Sequence, residues 1–178
     1  MNASERTDRI KRISNRFQWL IAALRITLPL LLIFLWATLN LEELEVVGPL
    51  EAYGPLTTPE RIGAILLSVP PLLIVLFALN KLQHLFRLYA SGRFFERENV
   101  DCFSKMGWAL IAAAPMNILY IAALSVWLSF DQAAGERSLS IAISSNDIAM
   151  LTFGAAIVVI SWVMAEAVEL SKENAQII

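Results

Sequence analysis

Four stretches of this chain, at about residues 17–39, 62–82, 107–130 and 148–170, are apolar on every side and long enough to cross a lipid bilayer. A hydrocarbon core of roughly 30 Å takes about 20 residues at 1.5 Å each. Lipid offers no partner to backbone N–H and C=O groups, so each stretch must be a helix. A helix on the surface of a soluble core would keep a polar stripe, and these runs have none. Composition agrees, with a mean hydropathy of +0.61 and 17 % charged residues, where soluble domains hold about 25 %. The sequence therefore predicts an all-α membrane protein, a single integral domain over residues 1–178 folded as a four-helix transmembrane bundle. The first run is about twice the usual apolar length of a signal peptide and ends in no small-residue cleavage pattern, so it is read as an uncleaved helix.

Lys and Arg orient such a bundle, because loops left in the cytoplasm carry the excess. Arg6, Arg9, Lys11, Arg12 and Arg16 precede the first run; Lys81, Arg87, Arg93, Arg97 and Lys105 lie around the second connection; Lys172 is in the tail. The other two connections hold only Arg61 and Arg137, and the acidic Glu42, Glu43, Glu45, Glu51 and Glu60. Both termini and the segment between the second and third helices are thus expected in the cytoplasm. On the outer face, Leu139, Ile141 and Ile143 alternate with small or polar residues at a strand-like period of two. With Leu44 and Val46 as a partner, they predict a small β cap. Ser145 or Asn146 is expected to cap the fourth helix.

Polar residues inside the runs are the candidates for function. Arg25 lies about six residues, roughly 9 Å, beyond Trp19, and Glu166 about four residues, roughly 6 Å, short of Leu170. Their depths match, which predicts an ion pair closing the bundle between the first and fourth helices; the alternative is that each snorkels to the headgroups on its own. Asn117 lies roughly 15 Å into the third run, with Tyr120 one turn on, and is expected to make an interhelical hydrogen bond or to meet a ligand. Pro29, Pro70, Pro71 and Pro115 sit near mid-depth. They are ordinary in membrane helices, though a transporter would use such kinks to open a cavity.

The stretch L-Y-A-S-G-R-F-F-E-R-E-N-V-D-C-F-S-K-M-G-W, residues 88–108, interrupts the apolar pattern. The second helix is expected to run on to Ser91 and stop at Gly92, which accepts the left-handed conformation of a helix end. Phe95, Val100, Phe103 and Met106 or Gly107 then recur at helical spacing, which predicts an amphipathic segment lying along the cytoplasmic surface.

This stretch resembles the F-T-P-E-N-V-x-x-L-x-x-I-G-W segment of a bacterial membrane family, the domain of unknown function 2975. Phe95, Glu98, Asn99, Val100, Gly107 and Trp108 stand at the matching positions, and the tail Glu173, Asn174, Ile177 and Ile178 is similar to the family's last residues. Glu96-Arg97 replaces a Thr-Pro pair and Asp101-Cys102 a usually basic one, so a strongly basic docking face is not expected. The resemblance implies a multi-pass protein of the bacterial inner membrane. Members are often encoded beside a very small helix-turn-helix regulator. The implied role is to tether or modulate that DNA-binding protein at the cytoplasmic face, through the motif and tail residues.

Little speaks for catalysis. His84 and Cys102 are each single in the chain, where a metal site or an activated thiol needs several such groups. No phosphate-cradling glycine motif is present, so no cofactor is expected; basic residues are few and mixed with acids, so no direct nucleic-acid binding is expected, and the N-terminal arm is suited to anionic lipid headgroups. The expected function is a non-enzymatic, regulatory or interaction role in the bilayer. The alternative is a small-solute transporter or channel component, a homo-oligomer built around the kinked helices.

Overall fold

The computed structural model describes residues 3–38, 56–130, 137 and 139–176. It is four helices: α1 (Ala3–Thr38), α2 (Thr58–Ala90), α3 (Arg97–Ser129) and α4 (Ser145–Gln176). Each contains a segment long and apolar enough to cross a membrane. All are longer than the crossing requires: α2 and α3, at 33 residues each, reach about 50 Å against roughly 30 Å of hydrocarbon. They run unbroken through Pro29, Pro70, Pro71 and Pro115.

Local chemistry sets the ends. At the start of α2, the Glu60 carboxylate accepts from the Thr57 backbone N–H at 2.6 Å and its hydroxyl at 2.7 Å, with Pro59 in the first turn where no N–H is missed. The end of α2 is a Schellman turn: Arg93 N–H donates to Leu88 O and Gly92 N–H to Tyr89 O, both at 3.0 Å, while Gly92 holds φ +84°. At the start of α4 the cap is Ser144, one residue before the expected position. Its hydroxyl accepts from the Asp147 N–H at 3.2 Å, and its own N–H and O–H donate to the Asp147 carboxylate at 2.8 and 2.7 Å. An aspartate at the third helical position can reach back in this way, and that decides the cap. Arg61 closes the end of α1, donating to Trp36 O and Ala37 O at 2.9 Å each.

The helices pack in chain order, α1 on α2, α2 on α3 and α3 on α4. The backbones of α1 and α4 do not meet, so the molecule is an open arc rather than the closed bundle expected. The tightest crossing is α3 on α4. A Cβ placed on Gly107 would lie 2.9 Å from Gly154 O, and one placed on Gly154 would lie 2.8 Å from Gly107 O. Two glycines face each other and let the backbones touch, which is how membrane helices gain contact without a hydrophobic driving force.

Two expectations for the connections change. The segment after Gly92 is no separate surface helix. α3 begins at Arg97 and continues without a break into the apolar run, because Asn99 and Cys102 are already buried in its first turns and hold it to the bundle. Residues 139–144 form no strand. The period of two is still present in their exposure: Leu139, Ile141 and Ile143 face outward, and Ser140 turns inward, its N–H donating to Ser125 Oγ at 3.0 Å. The surface they alternate against is helix α3. Leu44 and Val46 lie outside the described residues.

The glycine crossing yields a prediction. Gly154→Val is expected to cost at least the ~1–3 kcal/mol typical of overpacking, because backbone rather than a movable side chain stands in the way. Thermal unfolding of the detergent-purified protein measures it, with a substitution at the outward-facing Leu151 as the control.

Candidate functional site

Three places bring polar side chains together. The first is the turn between α2 and α3. Asn99 is fully buried, and its amide nitrogen donates to Arg93 O at 2.9 Å and Phe94 O at 2.7 Å. Its Oδ1 is buried without a partner among the described residues. The Arg93 guanidinium donates to Glu96 through Nε at 2.7 Å and bridges to Glu98 at 3.2 Å. Phe94 stacks on Tyr89 at 5.8 Å, Tyr89 meets Phe86 edge-on at 6.3 Å, and Phe86 stacks on Phe17 of α1 at 5.1 Å. The turn is therefore fastened to both flanking helices and through them to α1. Phe95 stands outside this stack and is turned out, 79 % exposed.

The residues named by the sequence motif do not form one surface. Phe95 and Glu98 are exposed at the turn, Asn99 is the buried staple beneath it, and Val100 is half-buried. Gly107 makes the α3–α4 crossing, and Trp108 is exposed on the flank of α3. Glu173 is exposed near the end of α4, four residues from Glu169, which pairs with Arg97 at 2.9 Å. The Asn174 side chain, Ile177 and Ile178 lie outside the described residues. Cys102 is packed with Leu85 and Leu88, in the manner of a small apolar side chain.

The second place is Arg25. It does not meet Glu166. Its Nη1 donates to Gln83 Oε1 at 2.7 Å and Asn80 Oδ1 at 3.3 Å, both on α2, while Glu166 is exposed on α4. The matching depths misled because the arc is open: the helix beside Arg25 is α2, and there two amide oxygens replace the carboxylate.

The third is a cleft of about 400 Å³ facing the space between α1 and α4. Its walls are leucine-rich, and its polar atoms gather at one end. Trp36 Nε1–H donates to Ser68 Oγ at 3.2 Å. Ser68 Oγ lies 2.7 Å from Ala64 O and 3.1 Å from the Tyr120 hydroxyl. A serine hydroxyl has one hydrogen, and a carbonyl can only accept, so that hydrogen goes to Ala64 and Tyr120 donates to Ser68. One turn deeper, Asn117 Nδ2 donates to Asp147 Oδ1 at 2.7 Å. Asp147 is thus held by α3 and by the cap of its own helix, with 1 % of its surface exposed. The sequence reading singled out Asn117 but missed its partner. The signal was there: Asp147 is the one carboxylate at the mouth of the fourth run, three residues after a serine.

A family model described as a protein of unknown function, DUF2975, matches residues 22–178. The chain belongs to this family. The match takes in the Asn99 staple, the Gly107–Gly154 crossing and the cleft; it covers α2, α3 and α4 and α1 from residue 22 onward. No curated protein and no solved structure matches the chain.

Two outcomes follow for the turn. Asn99→Asp keeps the shape but removes both donors, leaving two carbonyls opposite a carboxylate, and is expected to cost about 1–3 kcal/mol, visible as faster amide exchange over residues 91–96. Arg93 holds the Glu96 carboxyl below its ordinary range, chiefly by the hydrogen bond. A lowered native pKa stabilises above the unfolded-chain value and is lost as pH falls through the native one. Exchange at the turn, corrected for intrinsic rates, should therefore stay flat from neutral pH down to the ordinary carboxylate range, quicken as pH falls from there toward the lowered native value, and level off below it.

Proposed function

We propose that this membrane protein has no catalytic role and serves as an anchor, presenting the α2–α3 turn to a protein partner in the cytoplasm of a bacterial cell. The observation that carries the reading is Phe95, a fully apolar ring 79 % exposed on a turn fixed from beneath by Asn99 and from the side by Phe94. Exposed aromatics on a rigid support, ringed by charge, are the usual anchors of protein interfaces, because little freedom is lost when they are covered. Arg93, Glu96, Arg97 and Glu98 supply a rim of both signs. The Lys/Arg distribution supports the cytoplasmic side, and the family resemblance supports a small helix-turn-helix regulator as the partner class. The role is then regulatory: holding such a protein at the membrane keeps it from DNA.

A photoreactive phenylalanine analogue at position 95, irradiated in cells, tests this. A cross-linked adduct whose added mass is identified as a helix-turn-helix protein is expected, and Phe95→Ala should weaken co-purification of that protein by about tenfold or more, as for an interface anchor. Adducts to lipid alone would overturn the reading and make Phe95 a headgroup anchor. A phosphatase that works only outside the cytoplasm, fused behind residue 100, should be inactive.

A further inference from the structure

The cleft has a built-in direction. Trp36, Ser68 and Tyr120 are bonded to one another and so lie at one depth. The apolar lining at Leu28, Val75 and Ala113 lies seven or eight residues away along the three helices, roughly 10–12 Å nearer the α2–α3 turn. The polar atoms are at the end of the cleft nearer the other set of connections, and the hydrocarbon wall runs from them toward mid-membrane. A molecule with a polar head and a tail, standing in the bilayer as lipids do, meets the same sequence of surroundings.

The hydrogen-bond inventory then specifies the head. With Ser68 saturated, the Tyr120 oxygen, beside which the Trp36 indole N–H also lies, keeps one lone pair. Asn117 has one N–H on Asp147, and its second N–H and its carbonyl oxygen have no bond among the described residues. Asn117 and Tyr120 are three apart on one helix, on the same face, and both line the cleft. Apart from the tyrosine, no ionisable side chain among the described residues does, so a charged head would be desolvated without compensation. The groups on offer accept and donate to a neutral partner that does both, which is a hydroxyl. The volume, near the lower end of the ~300–1,000 Å³ of small-molecule sites, suits one chain.

We propose that the cleft binds a single-chain lipid alcohol, its hydroxyl between Tyr120 and Asn117 and its chain lying along α1 and α2. Fatty and isoprenoid alcohols share this chemistry. The inference is independent of which side of the membrane the turn faces, and of what docks there.

The full chain in lipid nanodiscs, irradiated with a hexadecanol bearing a mid-chain diazirine, provides the test. Label is expected on residues 28–36 and 68–75, displaced by excess hexadecanol or by geranylgeraniol, whichever competes better naming the source. Tyr120→Phe should lower labelling about fivefold, the factor one neutral hydrogen bond contributes. Ala113→Trp, which fills the tail end, should abolish it. The matching methyl ether cannot donate and should label weakly. Equal labelling by the ether, or label spread evenly over outward Leu30, Leu73 and Leu151, would overturn the proposal. So would cross-linking of two copies through cysteines at Leu32, since a second copy would then fill the cleft. If Ala113→Trp fails to fold, the methyl ether decides, because it changes the probe and leaves the protein, with its Tyr120–Ser68 bond, unaltered.

Discussion

A polar group in hydrocarbon must be bonded by a neighbouring helix, and in this molecule each helix has neighbours only in chain order. That one constraint accounts for most of what the structure does with its polar side chains. Arg25 and Trp36 of α1 bond α2, through Gln83 and Ser68. Ser68 of α2 bonds Tyr120 of α3, and Asn117 of α3 bonds Asp147 of α4. Every adjacent pair of helices thus carries at least one polar tie inside the apolar band. None of these is large alone, since interhelical hydrogen bonds in membranes contribute about 0.6–2 kcal/mol. Their value lies in register. An apolar helix can slide or rotate against another with little change in contact, whereas a buried amide or carboxylate left unbonded by a slip would cost several kcal/mol.

The ties also explain why α4 starts where it does. Asp147 is bonded to Asn117, about twelve residues short of the end of α3, so α4 begins roughly 18 Å below that end. The upper flank of α3 would be bare if residues 139–144 did not lie against it, apolar side chains out and Ser140 bonded to Ser125. The displaced start of α4, the Ser144 cap and the extended segment are therefore one device. Its partner at the opposite end is the Arg97–Glu169 ion pair, and the glycine crossing lies between the two.

How much of this was legible in the residues depends on range. The four spans, the glycine stop at residue 92 and the all-helical class follow from hydropathy and from local chain geometry, which act within one segment. The period of two at Leu139, Ile141 and Ile143 was real, but periodicity reports only that one side of a chain is covered and says nothing of what covers it. The Arg25–Glu166 pairing failed for a different reason. Depth along a helix can be read from spacing, whereas which helix stands beside which cannot, and a closed bundle was assumed. Asn117 was visible as an isolated amide in a greasy run. Asp147 was concealed by its position, since an acid at a helix start looks like capping and nothing more.

The open arc is also what leaves room beside the polar cluster. Had α1 packed on α4, the space beside Asn117 and Tyr120 would be filled and the polar cluster would be only structural. Because it did not, the surface of α1 that faces the cleft is free to be covered by something other than protein. The same α1 carries Phe17, whose ring stacks on Phe86 and so reaches, through Tyr89 and Phe94, the turn that exposes Phe95. The half of α1 that lines the cleft is tied at both ends, by Arg25 to Gln83 below and by Trp36 to Ser68 above, where Arg61 also holds its last carbonyls. The cleft therefore has a fixed wall, and its polar end and the turn at Phe95 are two separate features of one frame.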